Sequence, residues 1–167
     1  MSRTACEAEL QARHIPFKRE SARGVLAPIR LTGPVNGVLF RGAGNDDKIE
    51  TSLHEIIDCR LVLSLYEAAE ILREHDIVEV RHFSMYRLPP NSWPRSKPAT
   101  RHMGGIAIDA GLFIKKDGSV LSVLRDFHGA LSATKTCGPG VKPRRATREA
   151  LELRTLLCKL VAARGRL

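Results

Sequence analysis

Four cysteines, Cys6, Cys59, Cys137 and Cys158, constrain this chain more than any other feature. They are dispersed, and none forms a C-x-x-C pair, so the spacing of a structural zinc knuckle is missing. An even number of dispersed cysteines suits disulfides and an oxidising compartment. The bland alternative is four buried free thiols in a cytosolic protein. If they pair, three connectivities are open. Cys137 precedes a Gly-Pro-Gly turn and Cys158 falls on the helix that follows, which favours the local closure Cys137–Cys158. Cys6 is then expected with Cys59, tying an N-terminal helix to a central one.

That central helix is the clearest local signal. Asp58 caps it, and Leu61, Leu65, Ala68, Ala69 and Leu72 recur at helical spacing. Ile77–Phe83 alternates and is rich in β-branched residues, so a strand is expected there. Residues 5–14 read as a short helix, and Ile29–Thr32 as a short strand. Residues 42–47 read as a loop, and Leu88–Pro98, with four prolines, as a surface loop. Ile106–Asp109 and Leu112–Ile114 read as strand. Asp117-Gly118 is a hairpin turn, with Val120–Val123 as the returning strand. Thr147 caps a last helix carrying Leu153, Leu156, Leu157, Leu160 and Val161 on one face. The order gives an α+β fold: a small antiparallel sheet with a hairpin, packed by helices.

The 167 residues suit a single domain, expected over 5–167. No apolar run approaches 18 residues, so no membrane-spanning helix is expected. The first residues carry no apolar stretch of the secretory kind. The net charge is +9, which favours polyanionic partners. From Lys135 onward nine basic residues face two acidic ones, yet the segment lacks helix-turn-helix or zinc-finger spacing. Aromatic residues are scarce, which disfavours a base-stacking platform. A solvated face is the plainer reading of the basic stretch.

The stretch that carries chemistry is Thr100-Arg101-His102-Met103-Gly104-Gly105-Ile106-Ala107-Ile108-Asp109. Imidazole nitrogen and carboxylate oxygen are both zinc ligands. The glycines let the backbone turn between a loop-borne His102 and Asp109. Spacing alone is weak evidence, because His and Asp seven apart are common.

The residues nevertheless resemble the S-x-H-x-x-G-x-A-x-D motif of zinc D,D-peptidases of the Hedgehog/D-alanyl-D-alanine peptidase fold, with Thr100 in the Ser position. The wider pattern is similar to the bacterial extensin-like C-terminal domain family. Asp58-Cys59-Arg60-Leu61, Ser84-Met85-Tyr86-Arg87 and the Asp117-Gly118 hairpin carry that likeness. The resemblance implies His102 and Asp109 as zinc ligands and Arg87 as the group that binds a substrate carbonyl or carboxylate. It implies peptidoglycan peptide, or another anionic wall polymer, as partner, and a periplasmic or extracellular location. Nucleic acid is the disfavoured partner. The family's third ligand, a histidine near the C-terminus, has no counterpart, and the last strand that carries it is expected to be missing. His128 lies at the wrong position, just after the hairpin. His82 reads as a packed strand residue, and His14, His54 and His75 as surface residues. The expectation is therefore an incomplete zinc site, with a non-catalytic wall-binding module as the rival.

Overall fold

A computed structural model describes residues 1–44, 50–94, 96–129 and 135–163. Helix α1 (Arg3–Ala12) opens at Ser2, whose hydroxyl accepts the Ala5 amide, and buries Cys6 and Leu10 one turn apart. Strands β1 (Phe17–Arg19) and β2 (Pro28–Leu31) follow, then β3 (Leu39–Gly42). A 3-10 turn at Leu53–Glu55 leads into β4 (Ile56–Asp58), and β4 runs directly into α2 (Cys59–Glu74). Asp58 is fully buried at that junction. Its carboxylate accepts the Arg60 amide at 3.0 Å and the Ala27 amide at 3.1 Å, and Arg60 Nε donates to it at 2.7 Å. One side chain thereby caps the helix and fixes it to the chain entering β2.

Asp76, at φ +59°, turns the chain out of α2 into β5 (Ile77–His82). A second 3-10 turn, Arg101–Gly104, precedes β6 (Ala110–Lys115), and Asp117-Gly118 turns β6 into β7 (Val120–Ser122). Gly118 sits at φ +82°, the conformation the turn demands. A single helical turn, α3 (Val123–Asp126), and the long α4 (Arg148–Ala163) close the fold.

The strands form two sheets. β1, β2 and β4 are antiparallel, with Ile29 opposite Ile57. The second sheet runs β3-β5-β6-β7; β3 is parallel to β5 and the other pairs are antiparallel. α2 packs on α1, β4, β5 and α4. Cys6, Leu10, Ile29, Ile57, Val62, Leu65, Val80, Phe113, Leu153 and Leu156 form one continuous core. The fold is α+β, as expected.

Both expected disulfides are present. Cys6–Cys59 spans 53 residues and is wholly buried, and Cys137–Cys158 spans 21. No helix among the described residues is long and apolar enough to cross a membrane.

Several local expectations need correction. Ile106–Asp109 is not part of a strand. β5 ends at His82, opposite Ala110, so the residues before Ala110 have run out of ladder partner; only Asp109 still exchanges backbone hydrogen bonds, with Phe83 and Ser84. Val123 begins a helix instead of ending a strand, because Ser122 Oγ accepts the Arg125 amide. Val161 is 58% exposed, since the last turn of α4 extends past the core. On α2, Val62 is buried while Leu61 is only partly so. Of the loop expected at 42–47, Gly42 closes β3 and residues 45–47 lie outside the described residues.

Candidate functional site

Beyond β5 the segment Phe83–Arg87 is pinned at alternate points. The Phe83 amide donates to Asp109 O, the Asp109 amide to Ser84 O, the Met85 amide to His54 O and the Arg87 amide to His102 O, all at 2.9–3.1 Å. Met85 and Tyr86 are buried anchors, and the Tyr86 hydroxyl donates to Arg23 O at 3.0 Å. Burial pushes the Tyr86 phenol above its ordinary value. Anchors on either side leave Ser84 and Arg87 facing the 3-10 turn that carries His102.

That turn needs glycine. Gly105 sits at φ +64°, and a Cβ there would lie 2.9 Å from the Asp58 nitrogen, whose amide donates to Gly105 O. The His-to-Asp segment is thus seated on the β4–α2 junction, and the cap residue of α2 indirectly positions the site.

Four side chains close a ring. His102 Nε2 lies 3.0 Å from Asp109 Oδ1, and His102 Nδ1 lies 3.3 Å from Ser84 Oγ. Arg87 Nε donates to Ser84 Oγ at 3.1 Å, and Arg87 Nη2 donates to Asp109 Oδ2. Ser84 is buried, His102 mostly so, and Arg87 is 56% exposed. Hydrogen-bond directions restrict the neutral imidazole. The Asp109 carboxylate only accepts, so the proton belongs on Nε2; Ser84 then accepts from Arg87 and donates to Nδ1.

His102, Asp109 and Arg87, the three site residues expected from the sequence, therefore come together. His128 does not join them: it sits at φ +41° and its carbonyl accepts the Arg144 amide. His82 is fully buried, as a packed strand residue. Its ring nitrogens lack hydrogen bonds among the described residues, and Glu55 Oε2 is 3.4 Å from Nε2. His54, read as an ordinary surface residue, holds the site segment from below, with Nδ1 3.1 Å from Tyr86 O. His75 is half-buried, and burial lowers its pKa. Ser84, just past the strand expected over Ile77–Phe83, joins the ring as well, and its spacing of three from Arg87 is the signal for it.

The 3.0 Å between His102 Nε2 and Asp109 Oδ1 is close to one edge of a zinc tetrahedron, about 3.3 Å for bonds of about 2.0 Å. The rest of the ring does not fit a catalytic zinc. No group of three or more His, Cys, Asp or Glu side chains gathers among the described residues, whereas such a site takes three protein ligands. Arg87 already holds the other Asp109 oxygen. What the ring offers instead is a pre-organised guanidinium. Arg87 Nη1 donates no hydrogen bond among the described residues, and its neighbours hold the fork in place.

No family model, no curated protein and no solved structure matches this chain.

Proposed function

We propose that this protein is an extensin-like domain of the bacterial cell envelope that binds wall peptide at the Ser84–Arg87–His102–Asp109 ring and does not hydrolyse it efficiently. The observation that carries the reading is the ring itself. It joins the residues of the His-to-Asp and Ser-x-Tyr-Arg segments, and it puts a guanidinium beside Asp109 in place of further metal ligands. Arg87 presents donors to a carboxylate of the ligand, and Ser84 and Asp109 keep its plane fixed. Zinc, in this reading, binds weakly. Two disulfides support an oxidising location, periplasmic or extracellular. Lys142, Arg144, Arg145 and Arg148 are exposed and form no side-chain hydrogen bond or ion pair among the described residues, which supports a secondary attraction to anionic wall polymer.

The test is calorimetric titration with purified muropeptides and, separately, with zinc. Muropeptide binding is expected to weaken about tenfold or more in Arg87→Ala, the loss of a charge-assisted contact. Zinc binding is expected to be weaker than micromolar. Submicromolar 1:1 zinc binding lost in His102→Ala, or rapid peptide cleavage with zinc, defeats the reading in favour of a peptidase. Arg87-independent muropeptide binding defeats the site.

A further inference from the structure

Between Gly105 and Asp109 the chain passes through three residues with an unusual hydrogen-bond balance. The Ile106 amide donates to Arg101 O. The Ile106 carbonyl, and the amide and carbonyl of Ala107 and of Ile108, make no hydrogen bond among the described residues. Five backbone polar groups in a row thus lack a protein partner, although the segment is fastened at Gly105 by the Asp58 amide and at Asp109 by Phe83 and Ser84. It is a restrained stretch with open main chain, leading straight into β6.

The side chains of the same stretch face a groove. Ile106 and Ile108 line a mainly apolar cavity of about 780 Å³ together with Leu61, Leu65 and Leu160, and Glu67 and Glu70 of α2 line it as well. That volume lies in the ordinary range of ligand sites. At the Asp109 end stands Arg87, with Nη1 uncommitted.

We propose that the open main chain of Ile106–Ile108, unpaired in the free protein, takes up an extended peptide by strand addition, with apolar side chains entering the groove at alternate positions and a carboxylate directed to Arg87. Three observations select this occupant. In an extended stretch alternate residues bond the same neighbouring strand, so the unpaired N–H and C=O of Ala107, or the groups of Ile106 and Ile108 on the other side, match the main chain of one extended peptide. An apolar groove beside them matches side chains that alternate along a strand. A positive group at one end matches a carboxylate in a chain whose net charge is +9. The inference rests on the proposed wall-peptide site only for the position of the carboxylate.

The test uses the intact protein, disulfides formed and ¹⁵N-labelled, and three synthetic probes. They are acetyl-Thr-Val-Thr-Val with a free carboxylate, its C-terminal amide, and the acid N-methylated at both the second and the third residue, so that one methyl falls on the ladder side in either register. The acid is expected to shift the amide resonances of the 106–108 stretch on binding, most strongly that of the one residue of the pair Ala107 and Ile108 whose amide faces the added strand. The N-methylated acid, which cannot donate at the centre of the ladder, is expected to bind about tenfold more weakly or worse. The amide is expected to lose affinity in the wild type and to match the acid in Arg87→Ala. Equal affinity of acid and N-methylated acid, shifts confined to other surfaces, or no binding of the acid overturns the edge. The acid and the N-methylated acid are compared on the wild-type protein, so the edge is judged without a variant, and Arg87→Ala is used only once its amide spectrum shows the wild-type fold. Failure of this inference and of the wall-peptide reading separate cleanly. Muropeptides that bind through Arg87 while the acid probe does not leave the wall-peptide reading standing alone. The acid probe binding at the 106–108 stretch while muropeptides do not leaves the edge standing alone.

Discussion

The two disulfides are the same bond in opposite surroundings. Cys6–Cys59 lies at zero exposure inside the main core and bolts α1 to the first residue of α2. Cys137–Cys158 is half-buried and ties the basic loop to α4 near its end. Loop-closure entropy alone separates them little: separations of 53 and 21 correspond to roughly 4 and 3 kcal/mol. Packing separates them more. The inner bridge fills core volume beside the Asp58 cap on which Gly105 and the His-to-Asp segment rest. The outer one holds a surface loop that the ring does not touch. The difference teaches that the candidate site is seated on the elements the inner bridge holds, whereas the outer bridge holds the basic loop against α4, which lines one side of the groove.

The largest effect that tests this contrast is removal of each bridge. Cys6→Ala with Cys59→Ala should cost roughly 4–6 kcal/mol, because cavity formation adds to lost cross-linking. That is comparable with the whole stability of an ordinary domain. Cys137→Ala with Cys158→Ala should cost about 3 kcal/mol or less and leave Arg87-dependent muropeptide binding intact. Urea denaturation followed by circular dichroism measures both. Graded reduction followed by alkylation and mass spectrometry should label Cys137 and Cys158 first, since the inner pair is reached only when the core opens. Equal costs, or labelling of Cys6 and Cys59 first, breaks the comparison.

The two helix caps sharpen it at the next level. Asp58 is buried and serves the Arg60 amide, the Ala27 amide and the Arg60 guanidinium together. Thr147 caps α4 by accepting only the Ala150 amide, at 3.1 Å, near the surface. Asp58→Ala strands several buried donors and should cost about 3 kcal/mol. Thr147→Ala should cost about 1 kcal/mol. Thermal denaturation reads the two. The Asp58 variant should also weaken muropeptide binding, through Gly105, and the Thr147 variant should not.

How far these features were legible follows from what each depends on. α2 was readable because its period and its Asp58 cap are local, and the β6–β7 hairpin because Asp117-Gly118 dictates a turn. β1, β3 and β4 are three or four residues long, too short for a periodic signal, and exist through partners distant in sequence. Ile106–Asp109 has strand-like residues, but a strand also needs a neighbour, and β5 stops too early to supply one. The meeting of Arg87, His102 and Asp109 was anticipated through a resemblance and not through spacing. Their closure by Ser84 is a tertiary fact: the serine sits 18 residues from His102, and the backbone bonds that join Phe83–Arg87 to Asp109 and His102 bring them together.

The smallest expected effect contrasts two acidic groups in the two halves. Glu7 neighbours Cys6, and hydrogen bonds from Arg19, then Arg3, hold its carboxyl below the ordinary value of 4.5. Asp126, on α3, is likewise held below its ordinary value of 3.8, first by Arg125. A carboxyl lowered on folding contributes stability above its unfolded value, and that contribution disappears as pH falls through the folded value. Glu7 should therefore stabilise the fold above about pH 4.5 and lose that contribution at more acid pH. Its main partner, Arg19, is twelve residues away and meets it only in the folded chain. Asp126 and Arg125 are sequence neighbours, so part of their attraction survives unfolding and cancels from the difference. Glu7→Gln should accordingly flatten the acid limb of a stability–pH curve more than Asp126→Asn does. The gap should stay below about 1 kcal/mol, because Arg19 is largely exposed and solvent screens it. Chemical denaturation at a series of pH values between about 2.5 and 6, spanning both carboxyls, resolves the two. A larger effect from Asp126→Asn would place the pH-sensitive anchoring in the C-terminal half and reverse the order drawn from the disulfides.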